Sequence, residues 1–236
     1  MAVALYLGFS FSVNNCFDHE GDRLGVKASR NPIALDRISV RSGLVFSATM
    51  AASGLAITVL LLGVVPACIY FAMLTLSAAY SAPVPRLKSV PFVDMLSHGL
   101  FFGSLIVVFG LSVSGGLSPP TLLICAGIFL ASLIVELNNQ IEDVVADAGV
   151  GLRTTAVTIG PSMANRLFSL LLALHICVMV YLLSQLGSLV ATTLSLAFFL
   201  TISYKLFTGV DRRSYFFVIE KITPLVYFIF LFHLIL

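Results

Sequence analysis

The chain alternates between long apolar runs and short polar breaks. Eight apolar segments stand out, at about residues 1–17, 41–64, 66–81, 92–114, 119–139, 162–186, 188–208 and 215–236. Each is close to the roughly 20 residues that an α-helix needs to cross the hydrocarbon core of a bilayer. Three breaks, VVP at 64–66, SGGLSPP at 114–120 and QLGS at 185–188, contain no charged residue, whereas the connections 18–40, 82–91, 140–161 and 209–214 are longer or polar. The pattern predicts an all-α integral membrane protein, with one transmembrane domain over residues 1–236.

Composition agrees with that pattern. Hydrophobic residues make up 59% of the 236 positions and charged ones only 10%, against about 25% charged in a soluble domain. The four cysteines, Cys16, Cys68, Cys125 and Cys177, are scattered and show no CxxC or Cys/His spacing. They read as small buried hydrophobes rather than a disulfide or zinc framework. The first apolar segment has no basic region before it and runs into an acidic stretch, so it does not resemble a cleavable signal peptide.

Charge changes the picture by its placement. If every segment spans once, all thirteen Lys and Arg residues fall on one face of the membrane. The positive-inside rule makes that face cytoplasmic. All eleven carboxylates lie at or near the same ends, leaving the opposite face without charge. The chemistry is therefore expected on the cytoplasmic side. The first segment would begin outside without a preceding cytoplasmic anchor, which leads us to expect a further helix upstream.

The carboxylates fall into a repeated pattern. NNCFDHEGD at 14–22 reads N-N-x-x-D-x-x-x-D, and NQIEDVVAD at 139–147 reads N-Q-x-x-D-x-x-x-D. Asp18 and Asp22 are one helical turn apart, as are Asp143 and Asp147, so each pair shares a face. Like charges at that spacing weaken a helix unless a cation lies between them. Magnesium, a hard cation held by one or two carboxylates, waters and substrate phosphates, suits such pairs. Asn14 and Asn139 stand one turn back and offer amide oxygens. Lys27, Arg30 and Arg153 follow the motifs and suit phosphate oxygens. One DxxxD alone would read as a polar helix end, but two copies with the same leading Asn favour a site.

On these motifs the chain resembles the UbiA superfamily of intramembrane prenyltransferases. The family pattern N-[DN]-x-x-D-x-x-x-D is met at Asn14, Asn15, Asp18 and Asp22, and its second D-x-x-x-D at Asp143 and Asp147. RNPIALDRIS (30–39), YSAPVPRLK (80–88) and GLRTTAVTIG (151–160) resemble the family's continuations and middle loop, in family order. Asn15 and Gln140 stand where the family often has Asp, and Val84 where it often has Pro.

The resemblance implies a bundle of nine transmembrane helices around a central cavity with cytoplasmic capping loops. The eight segments here would be helices two to nine. It implies Mg2+-dependent prenyl transfer from an isoprenyl diphosphate (geranyl, farnesyl or geranylgeranyl) to a lipophilic or aromatic acceptor within the bilayer. Asp18, Asp22, Asp143 and Asp147 would hold the metal, with Asn14 and Asn139. Lys88, with Arg86, Lys27, Arg30 and Arg153, would stabilise the leaving diphosphate. The middle loop looks most like branches acting on chlorophyll-type or carotenoid acceptors, while quinone precursors and archaeal glycerol ethers stay open.

Other residues carry two readings. Tyr80 reads equally as an interfacial aromatic or a substrate contact. Glu136, one turn before the second motif, reads as a packed polar group, a ligand or a base for the acceptor. Asp94 near a helix start reads as a dipole-stabilising carboxylate, and His19 and His98 stay ambiguous. The main competing function is a divalent-cation transporter or channel using the acidic helix ends. Transport sites lie near the bilayer midplane at broken helices, and here the carboxylates gather at one surface. No nucleic-acid partner is expected.

Overall fold

In the computed structural model the described residues are 1–23, 26–114 and 118–185, with residues 193, 223, 224, 226–228 and 230. The seventh and eighth predicted segments lie almost entirely outside this set, and so does the side chain of Lys27. Within it the chain is helical throughout, without a strand. Seven α-helices are found: α1 (Ala2–Asp22), α2 (Val40–Leu61), α3 (Val64–Ser81), α4 (Val93–His98), α5 (Leu105–Ser114), α6 (Pro119–Gly149) and α7 (Thr155–Ser184). The count is not the eight expected, in part because segment 92–114 is two α-helices, α4 and α5, joined by a π-helical stretch at Gly99–Ser104.

Among the described residues, five stretches are long and apolar enough to cross a membrane: Val40–Leu61, Val64–Ser81, the composite Val93–Ser114, Pro119–Gly149 and Thr155–Ser184. Helix α1 is not among them. Its second half carries Asn14, Asn15, Asp18, His19, Glu20 and Asp22, and these polar side chains lower its hydropathy. Only 17% of the apolar window of α2 is buried within the protein.

Local chemistry sets the helix ends. Ser118 caps α6 in a reciprocal capping box with Thr121, followed by Pro119 and Pro120 in the first turn, where a missing N–H costs nothing. Helix α7 begins at Thr155, not near residue 162. Gly160 takes φ 79° and ψ 156° within it and Pro161 restarts the helix. Glycine alone adopts that backbone without strain, and proline fits a first turn. Thr154 caps the early turn by accepting from Val157 N.

Two apolar clusters form the interior. One gathers α6 and α7 around Ile134, Leu137, Phe168, Leu172 and Ile176. The other gathers α1, α3 and the π stretch around Tyr6, Tyr70, Met73 and Phe101. The composite 93–114 bridges them, giving Met95 to the first cluster and Phe101 to the second. Gly103 lets it lie against α6, because a Cβ there would sit 3.1 Å from both Ile128 O and Ser132 Cβ. The two motif helices, α1 and α6, belong to different clusters, and a cavity lies between them.

Candidate active site

The cavity has a volume of about 780 Å³ and takes its walls from both motifs. Helix α1 contributes Asn14, Asp18 and Asp22, and α6 contributes Glu136, Asn139, Gln140, Asp143 and Asp147. The α6 positions fall at i, i+3/i+4, i+7 and i+11, one stripe of a straight helix. Both pairs of carboxylates therefore end on the walls of one space. That convergence is a property of the fold, since 125 residues separate Asp18 from Asp143.

The cations come from the connections. Arg30, Arg86 and Lys88 line the cavity. Lys88 is buried, and its ammonium is paired with the Asp18 carboxylate. Burial pushes Lys88 down to about 8, against the pull of Glu136 and Asp147, which favours its charged form. It therefore stays mostly protonated at neutral pH. Arg86, at φ 52° in the left-handed region, has a buried Nε with no protein partner. A buried guanidinium N–H left open in this way is a donor aimed at an anion. Arg153 is exposed and not among the lining residues. Its backbone N–H donates to Ser89 Oγ at 3.4 Å, so the residue fixes the loop rather than facing the cavity.

Asn31, not singled out in the sequence, organises the first motif. Its Nδ2 donates to Asp22 Oδ2 at 2.8 Å and to Asn15 O at 3.0 Å, while its Oδ1 accepts from Ile33 N at 2.9 Å. The turn that these bonds close holds the 26–39 connection against the end of α1. The signal was the Asn-Pro pair at 31–32, which marks a turn but does not say which carboxylate it serves. Asn14 accepts from Ser81 Oγ at 3.1 Å, tying α1 to the end of α3.

Asp94 does more than its expected role. It is fully buried and accepts from Thr155 N at 2.6 Å and Thr155 Oγ1 at 2.5 Å. Besides sitting in the first turn of α4, it caps the start of α7 and pins the loop after the second motif.

Further along the lining lie the aromatic side chains of Tyr80, Phe101 and Phe102, with the exposed Phe11 at its edge. His98 stacks on Phe102 with ring centroids 5.0 Å apart and 2° between planes. Tyr80 donates to Glu136 Oε1 at 2.6 Å, and Gln140 Nε2 to the same oxygen at 3.1 Å. The site thus has an acidic and basic mouth and an aromatic floor.

Among the described residues no three Asp, Glu, His or Cys side chains converge closely enough to hold a metal ion by themselves. A cation held here by one pair of carboxylates would complete its shell with amide oxygens, water and ligand oxygens. That is how magnesium is bound when substrate phosphates share it. The donor set of carboxylates and amides, without sulfur, fits such an ion, with the open Arg86 donor placed for its anion.

A profile of the UbiA prenyltransferase family matches residues 1–219. A lycopene elongase/hydratase of Haloarcula japonica is 32% identical over 174 residues, covering 69% of this chain and 56% of that protein. A digeranylgeranylglyceryl phosphate synthase of Methanopyrus kandleri is 30% identical over 155 residues, covering 66% of this chain and 54% of that one. The chain thus spans about half the length of these curated relatives. Among solved structures, a UbiA homologue from Archaeoglobus fulgidus bound to GPP and Mg2+ superposes with a TM-score of 0.74, at 24% identity over 99% of this chain and 85% of its own. The apo UbiA homologue from Aeropyrum pernix gives 0.75 at 19% identity, over 100% and 87%. With the family profile spanning nearly the whole sequence and the same fold found twice, the chain belongs to the UbiA prenyltransferase family.

Proposed function

We propose that this chain transfers a prenyl group from an isoprenyl diphosphate to a lipophilic acceptor inside the membrane, with magnesium as cofactor. The observation that carries the reading is the convergence of Asp18, Asp22, Asp143 and Asp147 with Lys88, Arg86 and Arg30 around one cavity with an aromatic floor. The solved relative that holds GPP and Mg2+ supports the choice of ligands.

Asp18 and Asp22 would hold one end of the metal–diphosphate assembly, and Asp143 and Asp147 the other, with Asn14 and Asn139 adding amide oxygens. When bound, magnesium neutralises negative charge as it builds on the leaving diphosphate. Arg86 offers its open Nε to a diphosphate oxygen, and Lys88 and Arg30 add charge on the same wall. The isoprenoid tail lies toward Phe11, Phe101 and Phe102, where apolar and aromatic walls keep water from an allylic cation. The faces of Tyr80 and Phe101 are electron-rich and stabilise that cation. The charged mouth faces the cytoplasm, the side on which the basic residues gather.

The acceptor is an isoprenoid lipid. Relatives named for lycopene elongation and for digeranylgeranylglyceryl phosphate synthesis support that class. The test uses membranes carrying the chain, incubated with labelled geranylgeranyl diphosphate and either lycopene or geranylgeranylglyceryl phosphate. Magnesium-dependent label in a longer lipid, lost in Asp18→Asn and Asp143→Asn, is the expected result. Membranes that form no such lipid with either acceptor, under conditions where a family relative does, contradict the reading.

A further inference from the structure

Proton balance leaves one group unassigned in the prenyl-transfer reading, on which this inference rests. The C1–O bond of the prenyl diphosphate breaks with its electron pair leaving on the diphosphate. C1 then takes an electron pair from the acceptor, either a hydroxyl oxygen or an alkene. A proton must then leave, from that oxygen or from the carbon beside the new cationic centre. The motif aspartates and Lys88 are committed to the mouth of the cavity, so the proton needs a receiver at the aromatic floor.

Glu136 and His98 both line the cavity there and are both nearly buried. Two donors, Tyr80 Oη at 2.6 Å and Gln140 Nε2 at 3.1 Å, go to the same oxygen, Glu136 Oε1. The Gln140 amide cannot turn without loss, because its Oε1 accepts from Ala156 N at 3.2 Å. Glu136 Oε2 instead faces His98 Nε2 at 3.6 Å. Ser132 Oγ lies 2.9 Å from His98 Nδ1 and 3.2 Å from His98 O. When its proton goes to the carbonyl, the imidazole proton sits on Nδ1 and Nε2 presents a lone pair to Glu136; when it goes to Nδ1, the Nε2–H points at the carboxylate. In either form the pair can take one further proton, shared across the 3.6 Å between Oε2 and Nε2.

We propose that the Glu136–His98 pair is the proton acceptor of the transfer. Tyr80 and Gln140 hold the carboxylate in place, Ser132 sets the imidazole, and the aromatic rings of Phe101 and Phe102 hold His98 beside the reacting carbon. The charged groups around the pair are Lys88 from the loop before α4, Asp94 from α4 and Asp147 from α6. The proton that the pair takes later passes to water at the mouth.

The experiment uses the full chain in lipid nanodiscs with magnesium, labelled geranylgeranyl diphosphate and the two acceptors named above. Diphosphate binding and product formation are measured for wild type, Glu136→Gln, Glu136→Asp and His98→Asn. We expect Glu136→Gln and His98→Asn to bind the diphosphate within about threefold of wild type while transfer falls about 100-fold or more, in line with general-base catalysis. Glu136→Asp should recover part of the rate. In 15N-histidine NMR spectra, the ring-nitrogen shifts of His98 should change in Glu136→Gln, because the proton shared across the pair loses its carboxylate partner. Transfer by Glu136→Gln at the wild-type rate overturns the proposal. So does loss of diphosphate binding in that variant as complete as in Asp18→Asn, because Glu136 would then serve the diphosphate. A wild-type chain that binds no prenyl diphosphate removes the prenyl-transfer reading itself, a result distinguishable from either.

Discussion

Lys88 shows how much and how little a residue's sequence setting reveals. The YSAPVPRLK loop marks it as a diphosphate contact by resemblance, but its burial and its pairing with Asp18 are products of the fold. A charge-assisted hydrogen bond contributes about 1.5–3 kcal/mol, and about 1.4 kcal/mol is tenfold in affinity. Lys88→Met should therefore weaken prenyl diphosphate binding by roughly 10- to 100-fold, read as the Kd of a labelled diphosphate in nanodiscs. Unchanged affinity would remove Lys88 from the site. That each aspartate pair shares one helix face was legible in its spacing, and the repetition of the motif singled both pairs out from other helix ends; the structure brings them to one cavity. Arg153 shows the limit of that logic. Adjacency to a motif does not fix the direction of a side chain, and its position is exposed. Asn31 was hidden for the opposite reason, since an Asn-Pro turn announces a bend and not the carboxylate it holds.

At the level of elements, apolar periodicity located the first six segments but not their internal breaks. The π stretch at Gly99–Ser104 leaves no mark on hydropathy. It places His98, Phe101 and Phe102 on the cavity wall and lets Gly103 meet α6. Gly103→Val should force α6 away and destabilise the protein by about 1–3 kcal/mol, the usual range for overpacking. A fall in the thermal midpoint of the detergent-solubilised protein would record it, and an unchanged midpoint would show that the contact yields freely. Asp94 joins α4 to α7 in a way that a first-turn acid does not announce. Asp94→Ala leaves the buried Thr155 N–H and hydroxyl without this acceptor. A cost of about 1–3 kcal/mol per unsatisfied group is expected, again as a lower thermal midpoint. Thr155→Val keeps the Thr155 N–H on the carboxylate but removes both the hydroxyl donor to Asp94 and the acceptor of Phe92 N–H at 2.6 Å, so a lower thermal midpoint is expected for it as well.

For the whole molecule, the feature that the sequence displays is the placing of its charged residues at or near one set of predicted segment ends. The helical membrane fold was legible from that pattern and from segment lengths. The volume and floor of the cavity were not, because they depend on which faces of α1, α3 and α6 meet. The orientation proposed for the charged end has its own check. Asp36 is exposed in the connection after the first motif. Asp36→Cys in a cysteine-free background should react with a membrane-impermeant maleimide in inverted vesicles and not in intact cells. The reverse pattern would turn the molecule over in the membrane. The central claim is that two distant acidic motifs act as one magnesium-dependent diphosphate site. It is tested most directly by the Kd of geranylgeranyl diphosphate for the nanodisc-embedded wild type, Asp18→Asn and Asp143→Asn, each with and without magnesium. The account predicts tight binding only for wild type with magnesium, and a loss of about 100-fold or more when either motif is altered. Binding that ignores magnesium, or that survives the loss of either aspartate, would contradict it.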